Sequence, residues 1–297
     1  MLALNRIQTG QNSNMPENLL IEGKDFTLLG TQRSGAAVYR GLSSYLRIGE
    51  KSVISYDLAH HREMEAAKYP VAKILSEGEH GEHMYFTEES LGPKSFRAIF
   101  HEGYSANSSV STSEFTAFTN IARKLYAAQI KAKRESWDIG EFAAGANVTK
   151  FARELPVYTS EIETKFVEAA ERLKKLPGTL LHGDCNAANM YKGGIIDLED
   201  SFYGPIGYDQ ISALMTIDWS PDTRNYEFYA QYRFSDEQKS SYLKALNAVG
   251  KKAGVPDLGK YAKDLAFCRA IWLCSGMSAW PRIQQWRYEK FIEEYLS

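Results

Sequence analysis

Between residues 26 and 56 the apolar positions fall into three short runs, FTLLG, AAVYRG and SSYLRIG, the first two parted by the polar TQRSG. Short runs of this kind, bounded by Gly and Ser, predict strands. The next stretch, DLAHHREMEAAKY, lacks β-branched residues and is rich in helix formers, which predicts a helix. VAKILSEGEHGEHMYFTEES then reads as two strands around a Gly-containing turn. The first ~90 residues therefore predict strand, strand, strand, helix, strand, strand, a small α+β lobe.

Beyond Gly92 the period changes. Ser111 and Glu114 are spaced as a capping box, and Phe115, Phe118, Ala122 and Leu125 follow at helical spacing. Ile162, Phe166, Ala170 and Leu173 form another apolar stripe, closed by Pro177-Gly178. Ser235 and Gln238 open a further helix that Gly250 is placed to end. Residues 259–277 become apolar almost all round towards AIWLCSGM, which predicts a central helix. A small β element is expected around 179–197. The organisation expected is an N-terminal polar extension over 1–24, a β-rich lobe over 25–91 and a helical lobe over 92–297.

Composition narrows the function classes. The chain has 297 residues and is 44% hydrophobic, enough for a large core in one or two domains. Lys and Arg number 35 against 37 Asp and Glu, so there is no global basic field to hold nucleic acid. No apolar run is long enough to span a bilayer. The first twenty residues lack the apolar core and cleavage site of a secretory signal. Three cysteines without metal spacing, Cys185, Cys268 and Cys274, point to a reducing cytoplasm. His80 and His83 flank the expected hairpin turn and read as solvated.

The most informative stretch is LLHGDCNAANM, residues 180–190, where His182, Asp184, Asn186 and Asn189 follow two leucines. The chain continues as YKGGIIDLED. Met190-Tyr191 enters a turn at Lys192-Gly193-Gly194, and Ile195-Ile196 returns to deliver Asp197. A hairpin sets its two ends side by side, so Asn189 and Asp197 are expected together, with Asp184 close by. One amide oxygen plus carboxylates suits a hard cation such as Mg²⁺. The competing reading is a polar hairpin with its carboxylates in solvent.

H-x-D-x-x-x-x-N followed by a strand-borne Asp is the catalytic layout of eukaryotic-type kinases. With His182-Gly183-Asp184 and the sequel IIDLED, the chain resembles the aminoglycoside phosphotransferase and choline kinase branch of that fold, which phosphorylates small-molecule hydroxyls. The resemblance covers most of the chain. It implies a bilobal α+β protein kinase-like fold, with ATP or another NTP and Mg²⁺ in the cleft and a small-molecule hydroxyl acceptor as partner, alongside the exclusion of nucleic acid and membrane by charge and hydropathy. The oligomeric state stays open. Asp184 is then the catalytic base, and Asn189, Asp197 and Glu199 are the candidate metal ligands, Glu199 equally able to touch the acceptor or face solvent. LGTQRSGAAVYRG resembles the nucleotide loop, with Gly30, Ser34 and Gly35, and MYFTEESLG the hinge, where backbone near Glu88 to Ser90 would meet adenine. Asp209 resembles the buried acid that follows the metal loop.

Three departures stand out. The third strand carries Arg47 where the family has a phosphate-binding lysine, and an arginine fork does not simply replace an ammonium; Lys51 is the alternative. The helix that should offer a glutamate partner has both Glu63 and Glu65, which face different ways, and Glu63 is preferred. The hairpin between Asn189 and Asp197 is short. His182 reads as structural, and Cys185 as a small buried residue without a base. No A-P-E segment follows DLED, which argues against a protein kinase. The alternative from another class is a weakly catalytic nucleotide-binding module, favoured by Arg47 and disfavoured by the intact Asp184, Asn189 and Asp197. Asp218, Trp219 and Asp222 in TIDWSPD are candidates to hold a cationic amine of the acceptor, and equally ordinary packing and capping residues.

Overall fold

The computed structural model describes residues 15–32 and 34–296. Six antiparallel strands, β1 (Asn18–Ile21), β2 (Lys24–Thr31), β3 (Ala37–Arg40), β4 (Ser44–Gly49), β5 (Ile74–His80) and β6 (His83–Glu89), form one sheet in the order β1-β2-β3-β4-β6-β5. The helix α1 (Lys51–Ala66) interrupts the meander between β4 and β5 and packs on one face. Alternation along the strands places Phe26, Tyr39, Leu46 and Ile48 in one small core and Phe86 in a second, against Ile54 and Leu58 of α1.

The sheet begins earlier than expected. β1 lies within the stretch read as a polar extension and pairs Asn18–Ile21 with Thr27–Lys24; four residues are too short a run to show a period. Residues 1–14 of that extension lie outside the described residues. The helix α1 also starts earlier, at Lys51 rather than Asp57. Its first turn carries Val53 and Ile54, whose β-branching masks the helical signal.

The larger lobe is helical: α2 (Phe96–Asn107), α3 (Thr112–Lys131), α4 (Ile139–Gly145), α5 (Val148–Glu154), α6 (Thr159–Leu173), then β7 (Gly178–Leu181), β8 (Met190–Tyr191), β9 (Gly194–Ile195) and β10 (Phe202–Pro205), then α7 (Tyr208–Met215), α8 (Asp236–Lys252), α9 (Ala262–Cys274) and α10 (Pro281–Phe291). Ser111 caps α3, and Ser235 with Gln238 forms a complete capping box on α8. Gly250 does not end α8. It sits inside the helix because a Cβ there would come within 2.9 Å of the Tyr126 hydroxyl, so the glycine serves packing. Phe96, Phe100 and Phe118 are fully buried and meet at 5.4–5.6 Å. Each contributes about 2–3 kcal/mol of burial to the lobe. The helix α9 is buried along most of its length, as its all-round apolarity predicts.

The two lobes meet where β8 and β9 touch the linker. Gly193 N donates to Leu91 O and Ile195 N to Pro70 O. A Cβ on Gly194 would lie 2.0 Å from Pro70 O, so only glycine lets the hairpin tip come this close.

Candidate active site

The stretch 182–189 leaves β7 as a loop pinned from below. Asp209, at the start of α7, is fully buried and accepts from the backbone N–H of His182 (2.8 Å) and Gly183 (3.1 Å) and from Gln129 Nε2 (2.7 Å). Burial pushes its carboxyl up, against the pull of His182 and these hydrogen bonds. His182 Nδ1 accepts from Asp184 N, and its Nε2 donates to Ile196 O at 2.7 Å, so the ring clips the loop to the returning hairpin. The backbone turns at Gly183 with φ +80°, where a Cβ would lie 1.9 Å from Asp200 O.

This scaffold presents Asp184, 1% exposed, at the wall of a cavity of about 140 Å³. One carboxylate oxygen accepts from Arg269 Nη2 at 2.6 Å and from Asn186 at 3.0 Å; the other accepts from Asn189 Nδ2 at 3.1 Å. Arg269, on α9, is fully buried and also donates to Gly183 O at 2.8 Å. Burial opposes its charge, but the Asp184 carboxylate holds its pKa above the usual value. The guanidinium thus fixes both the loop backbone and the carboxylate. The sequence gives no sign of this partner, which lies 85 residues away.

Asn189 and Asp197 meet as the hairpin predicts: Ile196 N donates to Asn189 O at 2.9 Å, and both side chains line the same cavity as Asp184. Because the Asn189 amide nitrogen is turned to Asp184, its oxygen is the atom left to offer a cation. Asp197 sits in the left-handed region at φ +70°, a conformation Asp tolerates better than most residues and one that recurs at functional sites. One amide oxygen and one carboxylate fit Mg²⁺, which keeps several waters and takes its remaining ligands from phosphate. Glu199 does not line this cavity. It borders a second one with Ser34, Asp57 and Asp200. Burial, then the nearby Asp197 and Asp200, push its carboxyl up to about 7, and its Oε2 has no hydrogen-bond partner.

Arg47 faces Asp197 from the sheet. It is 5% exposed, with Nη2 3.7 Å from Asp197 and Nε 3.7 Å from Glu88. This corrects one expectation and adds a partner the sequence did not suggest. Glu63 is not the partner of Arg47: α1 turns Ile54, Asp57, Leu58, His61 and Met64 inward, and Glu63 points to Tyr203 and Arg134 of the other lobe. Glu88, expected to act at the hinge through its backbone, also turns its side chain inward. Arg47 opposes Phe86 in the ladder, so Glu88, two residues on, is its diagonal same-face neighbour. The carboxylate partner of Arg47 therefore comes from β6. The N–H of Glu89 is already given to Lys73 O and that of Ser90 to Ser43 O, which removes both as free donors to a base. Lys51 is ruled out as a substitute for Arg47, since it stands exposed on α1 with Glu79 at 2.8 Å.

The glycine loop leans onto the same centre. Gly30 lies at a β2–β3 bulge, and Gly35 takes φ +90° in a turn closed by Gln32 N to Ala36 O. Ser34 hydrogen-bonds Glu199. Gln32, absent from the expected set, donates to Asp197 at 2.8 Å across 165 residues. Asp218 and Asp222 do not line the Asp184 cavity; they pair with Lys239 and Arg233, and Trp219 is core. Cys185 is buried, and burial pushes its thiol well up, which suits packing and not nucleophilic attack.

Residues 56–243 match the family described as "Phosphotransferase enzyme family" (APH). No curated protein matches by sequence. Among solved structures, the chain is similar to a type VIII aminoglycoside-3'-phosphotransferase (12% identity, TM-score 0.51, 92% of this chain and 100% of that one). It is also similar to a thermostable mutant of an aminoglycoside phosphotransferase in ternary complex with ADP and hygromycin B (12%, 0.54, 91% and 93%). An ethanolamine kinase from Plasmodium vivax matches at 12% identity with TM-score 0.58, over 92% of this chain and 83% of that one. Identities this low speak to the shared bilobal fold.

Proposed function

The chain belongs to the phosphotransferase enzyme family, and on that premise we propose that it transfers the γ-phosphoryl group of ATP, with Mg²⁺, to a hydroxyl of a small molecule. The observation that supports this reading best is the convergence of Asp184, Asn189 and Asp197 on one cavity wall. The solved relatives with ADP and hygromycin B support a nucleotide and a small acceptor in such a cleft.

Asp184 accepts a hydrogen bond from the acceptor hydroxyl and orients its oxygen at the γ-phosphorus. As the new O–P bond forms, the bond from phosphorus to the β–γ bridging oxygen breaks and ADP leaves. The hydroxyl proton passes late to the Asp184 carboxylate, whose negative charge Arg269 and Asn189 already delocalise. Asn189 and Asp197 would hold Mg²⁺, which would supply positive charge to neutralise the phosphates. Arg47, braced by Glu88, binds the α- and β-phosphates. Gln32 and Ser34 cover them from the glycine loop. Positioning and fixed charge supply most of the acceleration, because the transition state is loose.

The test is ³¹P NMR of ATP with Mg²⁺ and a panel of alcohols. A new phosphate monoester resonance rising with ADP supports transfer. ADP formation no faster than without enzyme, across the panel, would favour a binding module that does no chemistry.

A further inference from the structure

The acceptor cavity lies beyond Asp184, between the catalytic loop, the start of α2 and the segments around 216–232 and 273–287. Its chemistry is distinctive. Its only carboxylates among the described residues are Asp184 and Asp197, both committed to the phosphate end. Two arginines, Arg97 and Arg287, line it, with the rings of Phe228, Tyr229, Tyr232 and Trp280. The acids that could have served a cationic acceptor, Asp218 and Asp222, are outside the wall and paired.

The two arginines differ. Arg287 is spent on structure, donating to the carbonyls of Trp219 and Leu273. Arg97 is held by its backbone N–H on Ala187 O of the catalytic loop, at 2.8 Å, and by Nε on Gln231 at 3.2 Å. It makes no ion pair among the described residues, and desolvation lowers its pKa with only Tyr232 and Tyr229 acting in opposition. A guanidinium half stripped of water, without a counter-ion, is costly alone and well suited to a carboxylate or phosphate, which its fork meets with two bonds.

We propose that the acceptor is a compact anionic alcohol, bearing a carboxylate or phosphate that Arg97 binds while the aromatic wall holds its apolar part. This rests on the phosphotransferase reading of the same site. A cavity of about 140 Å³ also falls below the ~300–1,000 Å³ that drug-sized ligands occupy. A polycationic acceptor does not match the Arg97 charge.

The experiment is calorimetric titration of the full chain, first with Mg·AMP-PNP alone and then, on the saturated protein, with acceptor probes. One matched series is β-phenyllactate, its methyl ester and phenylalaninol, which share a ring and a hydroxyl but are anionic, neutral and cationic. Glucose 6-phosphate and glycerate extend the anions; choline and kanamycin extend the cations. The expected result is at least tenfold tighter binding of an anion than of its neutral or cationic counterpart. Arg97→Gln should abolish that preference, and Arg97→Lys, which keeps the charge, should restore part of it, with folding of both checked by melting. Tighter binding of phenylalaninol, choline or kanamycin than of every anion overturns the proposal, as does an anion preference unchanged in Arg97→Gln, or no binding of any anion. Failure of Mg·AMP-PNP to bind in the first titration would instead overturn the phosphotransferase reading.

Discussion

Asp184 and Arg269 form a demanding contact, two opposite charges with 1% and 0% of their side chains exposed. Removing one partner of a buried pair leaves the other charge without compensation, at a cost of about 3–5 kcal/mol. Arg269→Met is therefore expected to lower the denaturant midpoint sharply. Arg269→Lys keeps a charge but cannot bridge Asp184 and Gly183 O together, so the loop should loosen with a smaller loss of stability. Equal midpoints for Arg269→Met and the parent protein would show that the pair contributes nothing. Asp184, Asn189 and Asp197 were legible in the sequence because they sit within fourteen residues, and a hairpin is a local device. Arg269 and Gln32 were not, since a pairing across 85 or 165 residues leaves no periodic trace.

At the scale of elements, register decides what a side chain can reach. The spacing of Glu63 and Glu65 on α1 offers two faces, and neither is the face turned to Arg47; the ladder between β4 and β6 supplies Glu88 instead. Glu88→Gln should weaken Mg-nucleotide binding by several-fold or more, whereas Glu63→Gln should leave it close to the parent value. The opposite ranking in a nucleotide titration would return the helix to the role the sequence suggested. The strands themselves were readable, because alternation and glycine turns are local; β1 was not, for want of length. Gly183 shows the reverse case, a residue whose neighbours explain it completely. An alanine there adds left-handed strain of about 1–3 kcal/mol and a clash with Asp200 O. Gly183→Ala should lower the melting temperature and abolish transfer together. An unchanged melting temperature would mean that the turn relaxes freely.

For the whole molecule, a β-rich lobe and a helical lobe meet with Met64, Tyr69 and Val71 packed into the core of the larger one, and the proposed reading divides the phosphate-binding and transfer tasks between them. No helix among the described residues is long and apolar enough to cross a membrane. On that reading the groups come from both lobes: Arg47 and Glu88 from the sheet and Gln32 from the glycine loop, Asp184, Asn189 and Asp197 from the loop after β7 and the hairpin. The division of labour among the last three makes the most direct test, by titrating AMP-PNP with and without Mg²⁺ into the parent protein, Asp184→Asn and Asp197→Ala. Asp184→Asn keeps its size and, although losing the charge opposite Arg269 should lower its stability, it should still bind Mg-nucleotide within a few-fold of the parent while transfer is lost. Asp197→Ala should lose most of the gain in affinity that Mg²⁺ confers. Loss of Mg-nucleotide binding in Asp184→Asn, with the Mg²⁺ dependence intact in Asp197→Ala, would contradict the account.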